Sequence, residues 1–305
     1  MSSYYYSQPA VIYWPMYYYR GAGDDTVHAA SISYNYIDGG DGNDWLFGNV
    51  GIDQFNGGNG NDHLYGGDGN DSFAGGAGND WLQGDAGNDW LNGEGGDDNI
   101  LGGAGEDRLI GLDGNDWLMG GSGYDTFFGG EGDDHIYAGD DGSEMHGGNG
   151  EDEIQGGAGN DLIFGDADHD TIKGGYGDDM IFADKADLYQ DDVDGGGGLD
   201  TLVIMENMDL TLGDVDTKLA GINRIDASSA QLSINLVPAD ILDISDGNLL
   251  EITGDSNDTV TSVGFGWDYS YSYQQGGHTF DLYTSKSTGQ DTYLSIEEGV
   301  NIVLS

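Results

Sequence analysis

The chain has 305 residues, of which 57 are Asp or Glu and seven are Lys or Arg, giving a formal net charge of −50; another 58 are Gly and none is Cys. So acidic a chain has no basic patch to meet phosphates or anionic lipid, which excludes nucleic acid as a partner and direct adsorption to a membrane surface. No stretch approaches about 18 consecutive apolar residues, so direct membrane insertion is not expected, and disulfides and thiolate metal sites are absent.

Residues 1–38 form an aromatic segment. Tyr4, Tyr5, Tyr6, Tyr13, Tyr17, Tyr18 and Tyr19 accompany Val11, Ile12, Trp14 and Met16 ahead of the first basic residue, Arg20. Met1 to Tyr6 lack the basic region and apolar stretch of a secretory signal peptide. This rigid, amphipathic area reads either as a cap over the open edge of a solenoid or as an assembly strand that docks on another copy.

From Gly39 to Phe182 the chain runs in nine-residue units without a gap, 16 units over 144 residues. The consensus is Gly-Gly-x-Gly-x-Asp-x-apolar-x. The sixth position is Asp in 15 of the 16 units, and Ser143 is the exception. The eighth position is apolar in all 16, from Leu46, Phe55 and Leu64 to Ile163, Ile172 and Ile181. High charge with low hydrophobicity would on its own mark a disordered chain, but this order overrides composition. Gly at positions one, two and four permits positive φ and close backbone approach, and a short extended run points its middle residue, the eighth, inward.

These units resemble the RTX family of calcium-binding nonapeptide repeats. The resemblance implies an all-β fold, a right-handed parallel β-roll or β-helix solenoid over residues 39–183. In it six residues turn, three make a strand, and two units complete an 18-residue coil. Eight coils make a rod of about 40 Å, with a core too thin to hold the fold against its charge. Alternate units then stack, and their sixth positions form two rows. One is Asp44, Asp62, Asp80, Asp98, Asp116, Asp134, Asp152 and Asp170; the other is Asp53, Asp71, Asp89, Asp107, Asp125, Ser143, Asp161 and Asp179. Like charges one strand spacing apart are unfavourable without a cation between them. The family implies Ca²⁺ between successive turns, held by two such Asp residues and by turn carbonyls, the hard oxygen donors that calcium prefers. With the two positions beside Ser143 weakened, about 12 ions are expected. Isolated units flank the array and add Asp25, in Gly21–Val27, and Asp200, in Gly195–Val203, as candidate ligands.

Several units depart from the consensus. Ala138 and Asp141 replace glycines ahead of Ser143 and predict a local bulge over residues 138–146. Asp168, at a fourth position, predicts altered ligation. Asn49, Asp85, Glu94, Leu112 and Asp166 occupy second positions, where the carbonyl geometry depends on Gly. Positions seven and nine point outward and gather Trp45, His63, Trp81, Trp117 and His135 with Phe47, Tyr65, Met119 and Tyr137 on one side. Trp90, Phe128, Phe164 and Phe182 lie on the other. So long an aromatic stripe calls for a cover: the chain's own ends, another subunit, or carbohydrate.

Residues 184–305 read as a β-rich C-terminal domain. The period is interrupted over 184–194. Short runs then recur at Thr201–Met205, Gln231–Leu236, Leu249–Thr253, Thr259–Phe265, His278–Tyr283 and Asn301–Leu304. Pro238 with Asp240, Ile241 and Leu242 marks the start of one short helix, and Trp267–Tyr273 alternates with period two, making one face aromatic. Ile222–Asp226, Val237–Asp246, Ile252–Val260 and Gly277–Ser305 resemble the C-terminal domain that follows the repeats in type I-secreted bacterial proteins. That resemblance implies export through the type I secretion machinery by an uncleaved C-terminal signal, with Glu297 and Glu298 ahead of Val300, Ile302, Val303 and Leu304. It places the protein outside a bacterium or on its surface.

The chain has no His-Glu-x-x-His, Gly-x-Ser-x-Gly or Walker motif, so no catalytic residue is named and enzyme activity is not expected. The leading expectation is a secreted calcium-binding structural protein that assembles with itself into a filament, surface layer or matrix. The alternative is a calcium-dependent adhesin or glycan-binding module; a detached secretion module ranks third.

Overall fold

The computed structural model describes residues 16–29, 34–183, 191–211, 219–228, 230, 232–236, 249–254, 258–262, 268–275, 278–285, 292–298 and 300–304, and among these the protein is all-β with no helix. Each nine-residue unit contributes one strand, and successive units alternate between two parallel sheets. Ile52–Asn59, Ser72–Ala77 and Trp90–Gly95 belong to a 16-stranded long sheet; Trp45–Val50, His63–Asp68 and Trp81–Ala86 belong to an 11-stranded second sheet. Leu64 faces Leu82 and Leu82 faces Ile100, so one coil is 18 residues. The eighth positions form the core between the sheets, from Leu46 through Phe55 and Phe73 to Ile181, each 0–3% exposed. Phe55 and Phe73 stack face to face across one coil at 4.8 Å.

The strands are longer than the spacing predicts. His63–Asp68, typical of the array, runs six residues, from position seven to position three of the next unit. Glycines at the first two positions let adjacent backbones pair where the sequence reads as turn. The first-position Gly is skipped in the pairing, as at Gly102 between Leu101 and Gly103, and its backbone faces inward. Asp85, Glu94, Leu112 and Asp166 hold the second-position turn despite their side chains, at φ of +76°, +75°, +83° and +73°. Each retains the left-handed geometry at a cost of about 1–2 kcal/mol, so these turns keep the shape of their Gly counterparts.

The expected bulge over 138–146 does not form. Tyr137 faces Gln155, Gly139 faces Gly157 and Glu144 faces Thr126, all in the 18-residue register. The deviation is absorbed by hydrogen bonding: the Gly123 N–H donates to the Asp141 carboxylate at 2.8 Å, whereas corresponding turns use a third-position carbonyl, as Gly105 does with Ser122 at 2.8 Å. A side chain thus fills in for the displaced carbonyl. At Asp168, φ is +81° and the Gly150 N–H to Ala167 carbonyl bond lengthens to 3.4 Å, against 2.7–2.8 Å for most others of its kind.

The coil stack extends beyond the repeat at both ends. Met16–Tyr19 pairs in parallel with Tyr34–Asp41, and Thr26–His28 with Trp45–Val50. Val27 and Ile37 continue the core at 3% and 0% exposure. Residues 1–15, on which the cap and assembly-strand readings mostly rest, lie outside the described residues. At the other end the long sheet passes in parallel from Met180–Ala183 to Asp200–Ile204, Ile222–Asp226, Leu249–Thr253 and Thr292–Glu297. A third, four-stranded parallel sheet comprises Met208–Thr211, Leu232–Leu236, Thr259–Ser262 and Asn301–Leu304. The C-terminal strands thus stack as further coils. An antiparallel hairpin, Asp268–Gln275 and His278–Ser285, closes the long sheet. The helix expected at Pro238 lies outside the described residues. So do Trp267 and the side chains of Tyr269 and Tyr271 on the expected aromatic face, of which Tyr273 is described, stacked 5.6 Å from Phe280.

Candidate metal centre

Each turn spends its N–H groups along the stack. The fourth-position N–H donates to the third-position carbonyl of the next coil, as Gly60 does to Ala77, and the seventh donates to the preceding sixth-position carbonyl, as His63 does to Asp44. The fifth-position N–H goes to the fifth-position side chain of the preceding coil: Asn61 to Asn43, Asn79 to Asn61 and Asp97 to Asn79, at 2.7–3.2 Å. Finally, the sixth-position N–H donates to Oδ1 of the sixth-position Asp one coil on, at 2.6–2.7 Å from Asp44 to Asp62, Asp62 to Asp80, Asp80 to Asp98 and Asp98 to Asp116. The turns are therefore short of donors and rich in oxygen.

The predicted Asp residues form two continuous ladders. Asp44, Asp62, Asp80, Asp98, Asp116, Asp134, Asp152 and Asp170 join in one; Asp53, Asp71, Asp89, Asp107, Asp125, Asp161 and Asp179 join in the other through the Ser143 hydroxyl. All are 0–3% exposed. The outlying candidates fit as well: the Asp25 N–H donates to Asp44 Oδ1 at 2.7 Å, and Asp200 Oδ1 accepts from Asp179 at 2.9 Å. Asp25 is half-buried and Asp200 fully buried.

Three members went unseen in the sequence. Asp191 accepts from the Asp170 N–H at 2.8 Å and extends the first ladder. Asn35 opens the second ladder on Asp53 and Asn223 closes it under Asp200. The signal for Asp191 was present, since Asp191, Val193 and Gly195 restart the nine-residue frame, but after an insertion that makes the step 21 residues. The fifth-position Asn and Asp ladder was also legible as a recurring Asn-Asp pair.

The second carboxylate oxygen of the ladder Asp residues from Asp44 to Asp179 is turned inward. Oδ2 of Asp62, Asp71, Asp80, Asp98, Asp116 and Asp134 is buried without a hydrogen-bond partner. It lies against the bare face of the first-position Gly, beside a carbonyl oxygen from the next coil: a Cβ on Gly75 would collide with Asp80 Oδ2 and stand 2.7 Å from the Gly93 carbonyl. Second- and fourth-position carbonyls also project between coils, so a Cβ on Gly58 or Gly60 would strike the oxygen of Gly40 or Gly42. Among the described residues no Lys, Arg or His pairs with Asp62, Asp71, Asp80, Asp98, Asp116 or Asp134. Burial, opposed by the backbone hydrogen bond and reinforced by neighbouring carboxylates, pushes Asp62 up to about 6, Asp71 and Asp80 to about 7, and Asp98 and Asp134 to about 8.

No three His, Cys, Asp or Glu side chains converge on one point among the described residues. A cation here draws instead on paired carboxylates and backbone carbonyls. That all-oxygen set fits Ca²⁺ and offers nothing to soft metals; bound there, the ion supplies the positive charge that these buried carboxylates lack.

Three substitutions test the geometry. Gly75→Ala is expected to cost at least about 3 kcal/mol, read as a higher calcium midpoint by circular dichroism. Gly95→Ala, whose Cβ would meet nothing nearer than 3.9 Å, is expected to change it little. Ser143→Asp restores the missing carboxylate, so native mass spectrometry is expected to count about two more ions than in the parent.

A family model described as the RTX calcium-binding nonapeptide repeat (4 copies) matches residues 38–73, 47–82, 74–109, 110–142 and 146–181. The break between the last two matches falls on Ser143. No curated protein matches the chain.

Proposed function

Residues 38–181 are RTX calcium-binding nonapeptide repeats, and on that premise we propose a secreted structural protein whose β-roll folds on Ca²⁺ and which assembles with itself outside the cell. The observation that carries the calcium part is the stack of buried carboxylates from Asp62 to Asp134, whose inner oxygens have no hydrogen-bond partner. Intervals with Asp on both sides number nine in the first ladder, from Asp25 to Asp191, and six in the second, from Asp53 to Asp200. About fifteen ions is therefore the upper expectation, above the twelve that the repeat frame alone suggests. Proteins with these repeats are typically exported by type I secretion, and the segment around Glu297 and Glu298 is the proposed signal.

Self-assembly into a filament, surface layer or matrix is supported by a long sheet whose two terminal strands have no further strand beside them among the described residues, and by aromatic side chains left in solvent. Trp45, Trp90 and Trp117 are 42%, 55% and 40% exposed. The same side chains favour the second reading, a calcium-dependent adhesin. Trp45 stacks on His63 at 4.1 Å, and Trp117 on His135 and Tyr137 at 5.1 Å, flat surfaces suited to sugar rings. Electron microscopy of the pure protein with and without calcium separates them. Calcium-dependent polymers are expected; dispersed particles at high protein and calcium, together with binding on a glycan array, would select the adhesin.

A further inference from the structure

Resting on the reading that copies assemble, we propose that they join head to tail by β-strand addition. The first described strand of one copy, Met16–Tyr19, pairs in parallel with the hairpin strand Asp268–Gln275 of the next. These are the two terminal strands of the long sheet. Every strand from Met16–Tyr19 to Thr292–Glu297 runs in the same direction. His278–Ser285 then reverses against Thr292–Glu297, and Asp268–Gln275 reverses again. The hairpin thus returns the last edge to the direction of the first. A copy displaced along the stack presents Met16–Tyr19 in the parallel sense in which nearly all other neighbours of this sheet pair. A copy related by a two-fold axis would set like edges antiparallel.

The edges are compatible in length and charge. The hairpin register shifts between Tyr269 and Tyr271 and is regular from Tyr271 to Gln275, five residues that span the four of Met16–Tyr19. The first 19 residues carry no charged side chain, and Asp268 is the only acid between Val263 and Phe280. In a chain of net charge −50, these are the ends that approach with least repulsion, whereas the acid-rich flanks keep rods apart. Both edges also lack the Lys and Pro that blunt an edge strand. Tyr17 and Tyr19, 59% and 67% exposed, ring Tyr36 at 5.8 and 5.6 Å and offer an aromatic face to an incoming strand. The contact is heterologous and so propagates. Sixteen strands per copy at strand spacing give an axial repeat of about 75 Å.

The absence of cysteine makes the contact testable by cross-linking. Copies carrying Tyr17→Cys are mixed in calcium and mild oxidant with copies carrying Ser272→Cys or Gln274→Cys. Disulfide-linked dimers are expected in the mixtures and not from any single variant. Ser270→Lys/Ser272→Lys is expected to leave calcium-dependent circular dichroism unchanged while abolishing polymers in the electron microscope. Cross-links within one variant, or polymers undiminished by the double Lys variant, would overturn the head-to-tail pairing and leave assembly standing. No polymers from the parent at any calcium level would remove both.

Discussion

Stripped of calcium at pH 9, where the ladder carboxylates are ionised, the protein is expected to lose its β circular-dichroism signal and expand, with a radius of gyration rising toward about 60 Å. The ladders force this. Adjacent ladder carboxylates belong to strands about 4.8 Å apart, and two unit charges at that distance repel by about 3.5 kcal/mol even at an effective dielectric of about 20. Over roughly fifteen neighbouring pairs the sum reaches tens of kcal/mol, well beyond the 5–15 kcal/mol by which a domain is usually stable. The opposing core is a single file of apolar side chains, Leu46 to Ile181, one per nine residues. Removing the ions therefore removes the fold. Returning Ca²⁺ is expected to restore it, and equal Mg²⁺ is not, because Mg²⁺ demands compact octahedral geometry and sheds its waters reluctantly. Circular dichroism and small-angle scattering in chelator, then in each ion, read the outcome; a signal indifferent to chelator would sink the idea.

The roll was legible because its physics is periodic. Leu46, Leu64 and Leu82 recur on one side and Phe55, Phe73 and Leu91 on the other because each must face inward once per unit, and the Asp residues fall into rows for the same reason. What escaped was whatever lost the period. Asp191 sits 21 residues after its ladder neighbour instead of 18. In the C-terminal coils Thr201 faces Arg224, Arg224 faces Glu251 and Ile252 faces Ile296, steps of 23, 27 and 44 residues. The strands at Leu249–Thr253 and Asn301–Leu304 could be read from their own residues, but their parallel stacking could not, since no constant spacing announces it. Ser143 misled differently. The missing carboxylate and Asp141 suggested a distorted backbone, yet the register is fixed by eleven- and sixteen-stranded sheets on either side, and one turn adjusts its side-chain bonds more easily than two sheets shift.

Acid is expected to do part of calcium's work. Without metal, burial raises the ladder carboxyls in the folded chain: about 6 at Asp89, Asp107, Asp116 and Asp152, about 7 at Asp125 and Asp161, and about 8 at Asp98 and Asp134. In the unfolded chain the same groups titrate near 3.9. Between about pH 4 and 8 the folded form thus holds protons that the unfolded form has released, and its stability falls as pH rises. The stabilisation is fully present below about 4, where both forms are protonated, and is lost through the folded values. In chelator, a chain that is coil at pH 8 is expected to gain β signal as pH is lowered toward 4.5, at dilutions where it stays monomeric. Calcium reverses the sense: each ion competes with protons for the same carboxylates, so its apparent affinity is expected to weaken as pH falls through 8 to 6. Paired titrations test both limbs. Proton release on calcium binding at pH 5, with none at pH 9, is the expected signature; coil at every pH in chelator would mean that protons cannot substitute for the ion between the turns.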